Sequence, residues 1–149
     1  MFFKKKKKKL EVINTLIDKD NVIRGNYSYS GGLRLDGKIY GDLTVEEDSG
    51  GTLIMGEQST IRGSVKVETA IIAGEIYGDV RCYGYLELQP GSAIEGNIEY
   101  NLIEIHAGAR VNGKLKQIAN SEMNKVQKKL PLKKDKKVEI IGDKDDNWN

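Results

Sequence analysis

The chain is poor in the residues on which most protein chemistry depends, with one cysteine and one histidine in 149 residues. The lone cysteine, Cys82, excludes a disulfide framework within the chain and suits a reducing cytoplasm. It falls on the inward parity of its strand and reads as a small buried hydrophobe. The lone histidine, His106, follows the inward Ile105, so parity turns it to solvent. No His/Cys cluster has metal-ligand spacing, and no glycine-rich phosphate loop leads from a strand into a helix. The chain therefore offers no catalytic residue, no cofactor site and no metal site.

Long apolar runs are also missing. No segment approaches the 18 or more apolar residues of a membrane span. The apolar stretch at 10–17 is broken by Glu11, Asn14 and Thr15, which excludes a signal peptide. Helical spacing of apolar residues surfaces only weakly, at 10–17 and after Ile118. The 17 glycines argue further against long helices.

What the chain has instead is repetition. Gly37-Lys-Ile-Tyr-Gly-Asp-Leu43 and Gly74-Glu-Ile-Tyr-Gly-Asp-Val80 are near copies 37 residues apart. Shorter cousins share their form, an aliphatic residue two before a glycine and an aliphatic or aromatic one two after. They are Ile23-Arg-Gly25-Asn-Tyr27, Ile61-Arg-Gly63-Ser-Val65, Ile94-Glu-Gly96-Asn-Ile98 and Val111-Asn-Gly113-Lys-Leu115. With Gly25, Gly41, Gly63, Gly78, Gly96 and Gly113 as markers, the steps are 16, 22, 15, 18 and 17 residues. Repeats of that period predict a solenoid.

Within each unit the apolar period is two, the signature of strands with one buried face. Leu33, Leu35, Gly37, Ile39, Gly41, Leu43 and Val45 share one parity, and so do Ile72, Gly74, Ile76, Gly78, Val80 and Cys82. The glycines thus sit on the inner face, at corners where a side chain has little room. Turn signals stand at 18–21, 56–59, 89–92 and 107–109, and the polar stretch 46–51 reads as a surface loop. The expected fold is an all-β parallel β-helix of about six coils, a rod roughly 25 to 30 Å long at the usual strand spacing.

The formal net charge of +2 conceals a division. Residues 1–9 carry +6, residues 10–120 carry 10 basic against 16 acidic residues, and residues 121–149 carry 8 against 6. An acidic rod repels phosphate, so nucleic acid is excluded as its partner. Asp36, Asp42, Asp79, Glu87, Glu95 and Glu104 lie on outward parity and keep the rod soluble. The expected organisation is a tail at 1–14, a β-helix domain at 15–118 and a disordered Lys-rich extension at 119–149.

The amino terminus has its own chemistry. Met1, Phe2 and Phe3 can bury in an acyl boundary, and Lys4, Lys5, Lys6, Lys7, Lys8 and Lys9 add up to about 1 kcal/mol each near an anionic leaflet. The nine residues read as a peripheral anchor for anionic lipids.

A solenoid without caps exposes unpaired backbone and a section of its core at both ends. The first coil begins abruptly after the lysines, and no convincing apolar cap follows the last. End-to-end stacking follows, with Leu16, Ile17 and Ile23 at one end and Ile103, Ile105, Val111 and Leu115 at the other.

With these residues in view, the chain resembles the bactofilin family of bacterial polymer-forming cytoskeletal proteins. The resemblance covers about 15–115. It is carried by Ile23-Arg-Gly25, by Leu35-Asp-Gly37-Lys-Ile-Tyr-Gly41-Asp, by Ile61-Arg-Gly63, by Leu86-Glu-Leu88-Gln-Pro-Gly-Ser-Ala-Ile-Glu-Gly96 and by Gly108-Ala-Arg-Val-Asn-Gly113. The Met1-Phe2-Phe3-Lys start is similar to the membrane-targeting peptide of many members. The resemblance implies a right-handed triangular β-helix, nonpolar filaments made by pairing like ends, no bound nucleotide, and attachment to the inner face of the cytoplasmic membrane. It also implies a scaffold for cell shape or envelope remodelling, with cell-wall hydrolases or synthases as partners. Val111 is the counterpart of an aromatic residue in the last coil's pairing surface.

Two other readings compete. A hexapeptide-type acyltransferase would use His106 as general base, but that fold needs runs of six-residue repeats. A binding module that does not polymerise would recruit partners through its charged tails.

Overall fold

Alternation at period two becomes a set of short strands, each stacked on the strand one coil before it. The computed structural model describes residues 13–46, 49–118 and 139–141. Sixteen strands and no helix form the regular structure of those residues. No described helix is long and apolar enough to cross a membrane.

The strands build three faces. The first holds β1 (Thr15–Ile17), β4 (Gly32–Leu35), β7 (Thr52–Met55) and the second halves of β9 (Val65–Ile72), β11 (Val80–Leu88) and β13 (Ile98–Ile105). The second holds β2 (Val22–Arg24), β5 (Lys38–Tyr40), β8 (Thr60–Arg62), β10 (Glu75–Tyr77), β12 (Ala93–Glu95) and β14 (Arg110–Asn112). The third holds β3 (Tyr27–Tyr29), β6 (Leu43–Val45), the first halves of β9, β11 and β13, and β15 (Leu115–Gln117). Every pairing is parallel, and the result is a β-solenoid of six coils.

Register puts like residues above like. Ile17, Leu35, Met55, Ile72, Leu88 and Ile105 form one column. Ile23, Ile39, Ile61, Ile76, Ile94 and Val111 form a second. Tyr27, Leu43, Val65, Val80, Ile98 and Leu115 form the third. Every member away from the two ends is at most 1% exposed. Burial of each contributes about 1.5–3 kcal/mol, so the columns hold the coils together.

The expected turns form at 18–21, 56–59, 89–92 and 106–109, each closed by a backbone hydrogen bond of 3.0–3.2 Å. Cys82 is fully buried, as its parity requires. The long step of 22 residues between Gly41 and Gly63 holds both a four-residue turn and the excursion after β6. Of that excursion, residues 47–48 lie outside the described residues.

The marker glycines stand at the corner between the second and third faces, and what confines them is vertical. A methyl group on Gly63 would land on the carbonyl oxygen of Gly41 one coil below, and one on Gly113 would land on that of Gly96. The corner glycine is therefore fixed by how closely successive coils approach as well as by the bend itself.

Within the stretch read as an extension, Glu139–Ile141 forms a further strand, β16. It lies parallel to β14 on the outer edge of the second face, with Ile140 opposite Val111. Residues 119–138 and 142–149 lie outside the described residues, as do residues 1–12 with the whole anchor from Met1 to Lys9.

Candidate functional site: the ends of the solenoid

The three core columns end differently from the way they run. At the amino-terminal end Ile17 is 5% exposed, while Ile23 and Tyr27 are only half-buried against the core. At the other end Ile105 and Leu115 are half-buried, as is Ile103 of the neighbouring column above Leu86, while Val111 stays fully buried. Residues with the same inward chemistry are sealed inside the rod and partly open at its ends. This is the section through a core that a free solenoid end presents.

Backbone follows the same pattern. No described strand pairs the outer edge of β1, β2 or β3, and none lies beyond residues 102–105 of β13. Unpaired parallel edges are templates for another chain. Ile13, Leu16 and Val22 gather at the amino-terminal end at 40, 60 and 43% exposure. Leu16 stands in register with Arg34, on the parity opposite Ile17, so it flanks the core section instead of belonging to it. Val111 is fully buried, and β16 occupies the edge of its strand.

Two side-chain ladders run up the corner between the second and third faces, and neither is evident from outward parity alone. After four of the corner glycines, an Asn or Asp reaches up to the next coil. Asn26 accepts a hydrogen bond from the Asp42 amide at 2.9 Å and Asp42 from the Ser64 amide at 2.9 Å. Asp79 accepts one from the Asn97 amide at 2.9 Å, and Asn97 from the Lys114 amide at 3.1 Å. Asp42 and Asp79 thus tie coils together, beyond keeping the rod soluble. The residues before the first four corner glycines, Arg24, Tyr40, Arg62 and Tyr77, form the other ladder. Arg24 sits over Tyr40 at 5.4 Å, and Arg62 sits between Tyr40 and Tyr77 at 5.8 and 4.9 Å. Each such cation–π contact contributes roughly 0.5–1 kcal/mol at an exposed site.

His106 is half-buried and engaged. Its Nε2 lies 2.8 Å from Glu87 and 3.6 Å from Glu104. The Tyr85 hydroxyl donates to Glu104 at 2.6 Å, and Gln89 donates to Glu87 at 3.0 Å. Glu87, Glu104 and His106 bring potential ligand atoms within 4.8 Å of one another. The same contacts cross-link the fifth and sixth coils, and the acids hold the imidazole instead of aiming it into an enclosed cavity. The Cys82 thiol donates to the backbone oxygens of Glu68 and Tyr85 at 3.3 and 3.2 Å. Burial pushes it up to about 12, so it is a neutral core group at physiological pH.

The family described as Bactofilin, polymer-forming cytoskeletal, matches residues 15–116. The chain is also similar to Bactofilin BacP of Myxococcus xanthus (strain DK1622), at 26% identity over 104 residues that make up 70% of this chain and 42% of that protein. It thus spans less than half the length of that relative. No solved structure matches the chain. A six-coil parallel solenoid with open ends, matched over its whole repeat region, belongs to the bactofilin family of polymer-forming cytoskeletal proteins.

Proposed function

We propose that this chain assembles end to end into nonpolar filaments without nucleotide, held at the inner face of the cytoplasmic membrane by residues 1–9. The observation that carries the reading is the contrast along the core columns, sealed at 1% or less inside the rod and half-buried at Ile23, Tyr27, Ile105 and Leu115. Stacking ends would bury those residues and pair the bare edges of the end coils. Pairing like ends about a two-fold axis closes each junction on itself, so the filament has no direction. Nothing in this scheme needs a nucleotide, because burial and edge pairing drive each junction.

The function of such a filament is that of a scaffold for cell shape or envelope remodelling, with cell-wall hydrolases or synthases as the partners it gathers. In this scheme His106 serves as a contact between coils, held by Glu87.

Ile105→Arg tests the junction. A buried unpaired charge costs several kcal/mol, so the variant is expected to stop at a monomer or dimer while keeping its far-ultraviolet dichroism. Filaments of normal length from Ile105→Arg in negative stain would count against the assignment. Removal of residues 1–9 tests the anchor. Co-sedimentation with anionic vesicles is expected to be lost and filaments retained, because many weak anchors on one polymer act together only while each is present. Unchanged vesicle binding after that truncation would sink the anchor.

A further inference from the structure

The tail strand β16 lies where the filament junction has to form. It is parallel to β14 and in register with it, pairing Arg110 with Glu139, Val111 with Ile140 and Asn112 with Ile141. In every earlier coil the strand over the second face comes from the next coil of the solenoid, as β14 lies over β12. β16 therefore continues the ladder one step beyond the sixth coil, using three residues that follow Ile118 by a separation of 20 residues. Residues 102–105 of β13, on the first face of the same coil, receive no described strand. One part of this end is thus occupied from within the chain, and another part is left for a partner.

We propose that the outer edge of β14 is a docking site for an extended strand, and that the chain's own Glu139–Ile141 fills it in competition with a neighbouring subunit. The inference rests on the end-to-end reading above. A strand edge pairs with one strand at a time, so a subunit can stack on the whole carboxy-terminal end only after β16 leaves. The tether holds the tail near its edge at an effective concentration of about millimolar, well above that of a free subunit. A three-residue strand makes few ladder bonds, so it can yield to an end that pairs on several faces together. The tail thereby sets the concentration at which carboxy-terminal ends join and leaves the amino-terminal ends untouched. Because like ends pair, a docked tail permits a dimer through the amino-terminal ends and withholds the filament.

Two cysteines test this in the full chain. In-register residues of neighbouring strands are about 5 Å apart, within disulfide reach. Arg110→Cys combined with Glu139→Cys is expected to cross-link within one chain on oxidation, and the locked protein is expected to stop at dimers. Reductant should return it to filaments. Ile141→Pro removes an amide that faces β14, by the pattern in which Arg110 N–H bonds Ser92 and Ala93 N–H bonds Gly74 one coil below, without shortening the chain. Both like ends must be free to join, so tails docked about nine-tenths of the time raise the critical concentration about a hundredfold, and this variant should polymerise at about one-hundredth of the wild-type concentration. The proposal is overturned if the cysteines fail to cross-link in the monomer. It is overturned equally if the locked protein forms filaments like the reduced one, or if Ile141→Pro leaves the critical concentration unchanged. Absence of filaments from every protein, reduced and unlocked included, would instead bring down the end-to-end reading beneath it.

Discussion

Cys82 and Tyr29 are titratable groups that the core keeps neutral. Burial pushes the Cys82 thiol up to about 12 from an ordinary 9.0. Burial, with a further contribution from Cys82, raises the Tyr29 hydroxyl above its usual range. That hydroxyl is buried with no hydrogen-bond partner among the described residues. For both groups the folded state holds the proton more tightly than the unfolded chain does. Their contribution to stability is therefore complete below about pH 9 and is lost as pH rises toward 12. Urea midpoints are expected to be level from pH 7 to about 8.5 and to fall above it, with a shallower fall in Cys82→Ala. A midpoint that stays level to pH 11 would show that neither group titrates against the fold. Cys82 was legible in the sequence because inward parity depends only on residues two apart. The upward bonds of Asp42 and Asp79 were not, because their acceptor role involves an amide 22 residues away in one case and 18 in the other. A period that varies by several residues hides vertical neighbours, although an Asn or Asp directly after a corner glycine is a usable sign of them.

At the scale of the coil, the corner glycines and the apolar columns constrain each other. The columns set the coil spacing, and at that spacing the corner backbones approach until only hydrogen fits. Gly78→Ala would drive a methyl group into the Gly63 carbonyl, and backbone cannot swing aside as a side chain can. A cost of about 3 kcal/mol is expected, the upper part of the ordinary range for overpacking. Gly91 is a control of the opposite kind. Its φ is +93° but nothing lies within 4 Å of an added methyl. Gly91→Ala is expected to cost about 1 kcal/mol, from backbone conformation alone. Urea denaturation of the two variants separates them, and equal losses would mean that coil spacing does not fix the corner. Strand positions and the four turns were readable because parity and turn chemistry are local. The strand β16 was not, since three residues beyond a Lys-rich stretch carry no repeat of the corner pattern, and only the open edge of β14 gives them a place.

At the scale of the molecule, the rod divides its tasks by position. Its flanks carry ladders that bind coil to coil, through Asn and Asp side chains after the corners, alternating Arg and Tyr before them, and the Glu87, Glu104 and His106 group on the first face. Its ends carry half-buried apolar residues and unpaired strand edges. Under the proposed end-to-end assembly, such a fold would grow along one axis. The duplicated Gly-Lys-Ile-Tyr-Gly-Asp and Gly-Glu-Ile-Tyr-Gly-Asp segments would serve that growth indirectly, as corners that keep the cross-section constant from one end to the other. Electron microscopy of the purified full-length protein in the absence of nucleotide tests the central claim most directly. Unbranched filaments one solenoid wide are the expected result, and a field of separate short rods at high protein concentration would contradict it.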